Sequence, residues 1–82
     1  NIENLEIFPQ PIQNKLNIKI PDGFVDEVTV QIYDVIGKEC FNGVFDSTKD
    51  IRVETDALQT GTYLIRLTSH NKVHTQKFIK IK

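Results

Sequence analysis

Few residues of this 82-residue chain have the types and spacing that enzyme chemistry requires. The single cysteine, Cys40, lies in a strand-like run in which nothing indicates an activated thiolate, so we expect a small buried core residue. No serine stands in a nucleophile-elbow pattern, and no glycine-rich phosphate loop opens a helix. The carboxylates have no identifiable partner that would separate their pKa values. The sequence therefore predicts no catalytic residue, and we expect that the chain is not an enzyme.

Metal binding has equally little support. His70 falls in a turn and His74 alternates with Val73 and Thr75, without the spacing to cysteine or acidic residues that zinc sites use. Both should be ordinary surface histidines. Two acidic groups could offer oxygens to calcium, but neither fits a known calcium-loop signature. These groups are Asp22, Asp26 and Glu27, and separately Asp46, Asp50, Glu54 and Asp56. We interpret both as solvated loops and expect neither a metal nor a cofactor.

The most distinctive polar pattern runs from Lys72 to Lys82, where four lysines are mixed with apolar residues. One interpretation is edge protection, because lysine on an exposed edge strand discourages pairing with another chain. A second interpretation is a surface that a partner recognises. The two are compatible, since a lysine-bearing edge can also be read by a receptor.

The elements that must position these residues are strands almost throughout. Apolar residues recur at every second position, and β-branched and aromatic residues dominate the runs, as half-buried strands require. The residues predicted to face the core are Leu16, Ile18, Val30, Ile32, Val53, Tyr63, Ile65 and Leu67. A buried tyrosine needs a hydrogen-bond partner, so the Tyr63 hydroxyl should reach a backbone group. No window shows helical spacing of apolar residues.

Seven strands are predicted, and turn signals separate them. Their ranges are Leu5 to Phe8, Lys15 to Ile20, Glu27 to Asp34, Glu39 to Phe45, Asp50 to Glu54, Gly61 to Ser69 and Lys72 to Lys80. Asp34-Val35-Ile36-Gly37 is typical of a type I turn followed by a left-handed glycine. Asn71 is a second candidate for the left-handed conformation, in the turn after Ser69. This pattern predicts an all-β, immunoglobulin-like antiparallel sandwich, with a closed barrel as the lesser alternative.

Composition narrows the class of protein. The chain is 39% hydrophobic and 26% charged, which is typical of a folded globular domain. A net charge of −1 gives no field that would favour nucleic acid. No apolar run approaches the length of a membrane span, and the first residues do not have the pattern of a signal peptide. We expect a single domain, residues 1–82, excised from a longer polypeptide that carries its export signal elsewhere.

Four motifs together resemble those of a known family. They are Phe8-Pro9-Gln10-Pro11, Asp34-Val35-Ile36-Gly37-Lys38, Gly61-Thr62-Tyr63 and Lys77-Phe78-Ile79-Lys80. In order and approximate spacing the chain resembles the type A C-terminal sorting domains of cargo proteins exported by the type IX secretion system of Bacteroidota. One departure is Gln10, where the family usually has asparagine. The resemblance implies that the translocon recognises residues within these motifs, namely Gly37, Lys38, Gly61, Thr62, Tyr63, Lys77, Phe78, Ile79 and Lys80.

The resemblance also implies a route and a set of partners. Cargo of this family enters the periplasm by a Sec signal, folds, and is carried by an outer-membrane translocon that recognises the C-terminal module. A sortase-like surface peptidase then removes the module, and the cargo is joined to an anionic lipopolysaccharide or released, at the cell surface or outside the cell. Cleavage would fall near or before Asn1.

A second class of function stays open on the sequence alone. The chain could be an immunoglobulin-like or fibronectin-like accessory binding module of a secreted enzyme. Such a module would need an exposed aromatic platform, for which Phe24, Phe41 and Phe45 are the candidates.

Overall fold

The computed structural model describes residues 6–9, 11–20, 23–48, 50–70 and 72–81. These residues form seven strands and no helix, as the period-two alternation predicts. The strands are β1 (Glu6–Phe8), β2 (Lys15–Lys19), β3 (Glu27–Tyr33), β4 (Glu39–Asp46), β5 (Ile51–Glu54), β6 (Gly61–Ser69) and β7 (Lys72–Lys80). Leu5 and Asn71 lie outside the described residues, and the predictions made for them are not tested.

The strands form two sheets, one in the order β1-β2-β5 and the other in the order β4-β3-β6-β7. Every pair of neighbouring strands is antiparallel. The sheet of β1, β2 and β5 therefore packs against the sheet that contains β3, β6 and β7, as in immunoglobulin-like sandwiches. Strand β4 adds a fourth strand to the second sheet. The predicted sandwich is confirmed.

The core lies between the two sheets. All eight residues predicted to face inward are buried, together with six further apolar residues: Ile7, Ile12, Phe24, Val28, Ile51 and Phe78. Register explains this packing, because Leu16 is paired with Val53, and Ile32 with Ile65, on the inner faces of the two sheets. Pairs of large apolar residues at directly opposed positions are the unit from which a sheet gains stability.

The segment after β1 connects the two sheets. Ile7 pairs with Ile18 in the first sheet, whereas Ile12 makes a parallel bridge to Lys80 in the second. The Ile12 amide donates to the Ile79 carbonyl at 2.8 Å, and the Ile81 amide donates to the Ile12 carbonyl at 2.7 Å. The last part of β7 is therefore a paired strand, and only its earlier part is an open edge.

The structure of strand β4 shows that the prediction of a buried Cys40 is wrong. Cys40 is exposed and not a core residue. The half-buried side of this strand carries Phe41, Gly43 and Phe45, so Cys40 and Val44 face solvent. The two rings stack with centroids 6.3 Å apart, and a Cβ added to Gly43 would lie 3.0 Å from Phe45 and 3.1 Å from Phe41. Phe41 is paired with Ile32 and Phe45 with Val28, which face the core, so the side of β4 that carries Cys40 is the outer face of the sheet.

Candidate recognition site

The turn between β3 and β4 is closed by its own first residue. The Gly37 amide donates to the Asp34 carbonyl at 3.0 Å, and Asp34 Oδ1 accepts hydrogen bonds from the amides of Ile36 (3.1 Å) and Lys38 (2.9 Å). Gly37 has a φ of +88°, which confirms the predicted left-handed residue. Val35 and Ile36, at the tip, are largely exposed. The second family motif is thus a hydrogen-bonded turn that presents two aliphatic side chains.

The pairing of β6 with β7 brings the third and fourth motifs side by side. Gly61 is opposite Lys80, Thr62 is opposite Ile79, and Tyr63 is opposite Phe78. One position further along, Leu64 lies between Lys77 on β7 and Tyr33 on β3. Since Tyr33 directly precedes the β3–β4 turn, three of the four motifs meet at one end of the four-stranded sheet.

Tyr63 fixes the inner side of this region. Its hydroxyl donates to the Gln59 carbonyl at 2.7 Å, and its ring stacks on Phe78 with centroids 5.5 Å apart. A tyrosine at the start of the sixth strand that bonds the backbone a few residues upstream is the tyrosine corner of immunoglobulin-like sandwiches. Burial raises the pKa of the Tyr63 phenol, and the nearby Cys40 and Asp34 raise it further. The predicted backbone partner is confirmed.

A shallow groove of about 550 Å³ lies where the three motifs meet. Its lining combines the β3–β4 turn with outward-facing positions of β6 and β7. The lining residues are Tyr33, Asp34, Val35, Gly37, Thr62, Tyr63, Leu64, Arg66 and Lys77, and we call this feature the Lys77 groove.

The groove is both apolar and cationic. The Arg66 guanidinium carbon lies 5.3 Å from the centroid of the Tyr33 ring, within the range of a cation–π contact. Within the described part of the chain, neither Arg66 nor Lys77 forms a salt bridge. Asp34, the carboxylate in the lining, is already bonded by two amides of its own turn. Leu64 and Val35 are 45% and 78% exposed and supply the apolar part.

The nine residues predicted for recognition divide into two groups. Gly37, Lys38, Thr62, Lys77 and Ile79 are exposed, and Gly61 is half-buried at the start of β6. Three others have buried side chains: Tyr63, Phe78 and Lys80. The Lys80 ammonium donates to the Ile81 carbonyl at 2.9 Å, so this lysine is not a surface charge. A partner that binds the folded domain would reach the first group, whereas Phe78 and Lys80 contribute by packing.

Sequence reasoning did not select Tyr33, Leu64 or Arg66 as recognition residues. The alternation of side chains along β6 could have identified two of them, because Leu64 and Arg66 lie on the same outward face as Thr62. Tyr33 gave no comparable signal, since its contact with Arg66 depends on the pairing of β3 with β6.

A separate polar contact joins the β6–β7 turn to the segment before β3. His70 Nε2 lies 2.9 Å from Asp26 Oδ2, and both residues have positive φ angles, at the end of the sandwich away from the β3–β4 turn. Among the described residues, no group of three or more histidine, cysteine or acidic side chains could hold a metal ion. The same residues include no helix long and apolar enough to cross a membrane.

Comparison with known proteins identifies the family. The chain is 34% identical over 80 residues to an endo-acting ulvan lyase of Formosa agariphila, an alignment that covers 94% of this chain and 15% of the lyase. Residues 6–82 match the family described as secretion system C-terminal sorting domains. The resemblance carried by the four motifs is confirmed, and the chain belongs to this family, the sorting signals of cargo exported by the type IX secretion system.

Proposed function

We propose that the type IX outer-membrane translocon recognises this chain as a folded module through the surface around the Lys77 groove. The module would stand at the C-terminus of a longer cargo protein that crosses the periplasm. A sortase-like peptidase at the cell surface would remove it, and the cargo would then be anchored or released.

The convergence of the motifs carries this proposal. Gly37, Thr62 and Lys77 are far apart in sequence, yet all three line one groove. An unfolded tail would not present them together, because their proximity depends on the β3–β6 and β6–β7 pairing. A receptor that reads this arrangement would therefore distinguish folded cargo from unfolded cargo.

The cargo itself is proposed by analogy. The matched relative is an enzyme, and the chain spans only 15% of its length. We infer a similar arrangement here, in which a secreted catalytic or binding domain precedes the sorting module. The module would act as the sorting signal, and the preceding domain would carry the catalytic or binding activity.

The accessory binding module is the weaker alternative. It would need exposed aromatic rings, but Phe24 is only 6% exposed and packs edge-on against His74. Phe41 and Phe45 are half-buried and stack over Gly43. These three candidates therefore do not form an open aromatic platform.

The proposal is tested by a charge reversal that leaves the core intact. A reporter with a Sec signal would carry residues 1–82 at its C-terminus, with either Lys77→Glu or the control Lys15→Glu. Both lysines are exposed, and neither has a salt-bridge partner among the described residues. We expect the Lys77→Glu reporter to accumulate in the periplasm of a type IX-competent cell, while the Lys15→Glu reporter is exported.

Thermal unfolding of each purified domain should show that both variants remain folded, since exposed substitutions usually change stability by less than about 0.5 kcal/mol. Equal export of the two reporters would remove the groove from the recognition surface. Deletion of Lys77 to Lys82 is a poorer test, because it also removes the buried Phe78 and the pairing with Ile12.

A further inference from the structure

We propose that the Lys77 groove binds an acidic segment of a partner protein, one that places a carboxylate beside an aliphatic or aromatic side chain. This inference rests on the proposed sorting function for the setting in which the partner is met. The chemistry of the segment follows from the lining of the groove alone.

Among the described residues, the two cationic side chains of the groove form no salt bridge. The described salt bridges are Lys19 with Glu6 and His70 with Asp26, and neither involves a groove residue. The nearby Glu39 carboxylate accepts hydrogen bonds from the Gln31 and Asn42 amides. Arg66 and Lys77 are therefore available to an external carboxylate.

Arg66 is also held in place before binding. Its guanidinium lies over the Tyr33 ring, which leaves fewer conformations to be lost when an anion arrives. Arginine presents a planar fork of donors that matches a carboxylate in two simultaneous hydrogen bonds. This arrangement favours a carboxylate, such as a glutamate or aspartate side chain, as the anionic group of the ligand.

The apolar half of the groove requires a second feature in the ligand. Leu64 is exposed between Tyr33 and Lys77, and Val35 extends from the neighbouring turn. Exposed aliphatic groups gathered next to fixed charges are typical of protein interaction sites. An apolar side chain adjacent to the carboxylate would cover Leu64 and Val35 and strengthen the charge interaction by excluding water.

A protein segment fits this lining better than a polysaccharide does. A sugar ring would need a free aromatic face, but Arg66 covers Tyr33, and Tyr63 is buried against Phe78. A polyanion would also be drawn by a broad basic field, whereas the net charge of the chain is −1. The local pair of cations next to aliphatic groups instead suits a single carboxylate in an apolar context.

Binding can be measured on the isotopically labelled chain by NMR titration with a blocked peptide of alternating glutamate and leucine. We expect chemical-shift changes at the amides of Val35, Leu64 and Arg66, and a dissociation constant that rises with salt. The double variant Arg66→Gln/Lys77→Gln should bind about tenfold more weakly, which corresponds to the loss of charge-assisted contacts. Lys15→Gln, an exposed lysine on β2, is the matched control and should bind within about twofold of the native chain.

A charge swap makes the test specific. The variant Arg66→Glu/Lys77→Glu should reject the glutamate peptide and bind its lysine counterpart. Equal binding of glutamate and glutamine peptides by the native chain would overturn the inference, as would equally tight binding of a dextran sulfate oligosaccharide. Normal export of a reporter with Arg66→Gln/Lys77→Gln that no longer binds the peptide would overturn the assignment of the acidic segment to the export machinery and would remove the groove from the recognition surface, while the domain would still act as a sorting signal. If the proposed function failed instead, the native fusion would not be exported while peptide binding persisted.

Discussion

The Tyr63 hydroxyl lies 2.7 Å from the Gln59 carbonyl oxygen and donates a hydrogen bond to it. This bond joins the start of β6 to the turn that follows β5. Within that turn, the Leu58 amide donates a hydrogen bond to the Thr55 carbonyl at 3.0 Å. Because Tyr63 is also among the residues that line the Lys77 groove, the same residue connects the fold to the candidate site.

Replacing Tyr63 by phenylalanine should remove this bond and keep the stacking on Phe78. We expect the free energy of unfolding to fall by about 0.5–1.5 kcal/mol, the usual net value of one hydrogen bond. Urea denaturation measures the change. Tyr33→Phe is the control, because the Tyr33 hydroxyl makes no hydrogen bond within the described residues, and it should cost less than about 0.5 kcal/mol. Equal losses for the two variants would contradict the role assigned to the Tyr63 hydroxyl.

Alkaline pH should destabilise the domain through the same residue. Burial, with the nearby Cys40 and Asp34, raises the pKa of Tyr63 in the folded state above its ordinary value of about 10. The folded state therefore favours the neutral phenol, and the associated stability is complete below about pH 10 and is lost as the pH rises through the folded pKa. The difference in unfolding free energy between the native chain and Tyr63→Phe should stay constant up to about pH 10 and shrink as the pH rises above it. If the unfolding free energies of the two proteins changed in parallel with pH, the destabilisation could not be assigned to ionisation of Tyr63.

Substitution of Gly37 tests the β3–β4 turn. A Cβ at this position would meet no atom within 4 Å, so any loss of stability reports the positive φ and not a clash. Gly37→Val should cost about 1–3 kcal/mol through backbone strain. Gly37→Asn should cost less, since asparagine adopts the left-handed region more readily. Thermal unfolding that ranks the two variants equally would contradict the turn geometry.

Lys80 should behave as a structural residue, in contrast to Lys77. Lys80 is 4% exposed and its ammonium bonds the Ile81 carbonyl, whereas Lys77 is exposed. Lys80→Glu would bury a carboxylate facing a carbonyl oxygen, and we expect a loss of about 1–3 kcal/mol. Lys77→Glu should change the stability by less than about 0.5 kcal/mol. Urea titration of the two single variants separates these values, and similar losses would show that Lys80 is not buried in solution.

Local patterns were sufficient to predict most of the fold. Strict alternation in β2, β3 and β6 marks the inward residues, and Asp34 with Gly37 marks the turn, because each signal depends on neighbours in the sequence. For strand β4 the same reasoning gave a wrong prediction, the burial of Cys40. Its apolar residues occupy both faces, Cys40 and Val44 on one and Phe41 and Phe45 on the other. Periodicity could not decide which face was covered, since that depends on the register of β4 with β3, which places Phe41 and Phe45 opposite core residues.

The candidate site was less predictable for a related reason. The burial of Lys80 depends on a bridge to Ile12, which lies at the other end of the chain. The contact of Arg66 with Tyr33 likewise depends on long-range pairing. Motif resemblance identified the segments that form the groove, but only the three-dimensional arrangement separates the exposed Lys77 from the buried Phe78.

Export of an intact fusion tests the central claim most directly. A reporter with an upstream Sec signal and residues 1–82 at its C-terminus would be followed in type IX-competent cells and in matched cells that lack the outer-membrane translocon. The sorting account predicts that the reporter reaches the medium or the cell surface in competent cells and stays in the periplasm of the mutant. Equal export by both strains, or retention in the competent cells, would contradict it.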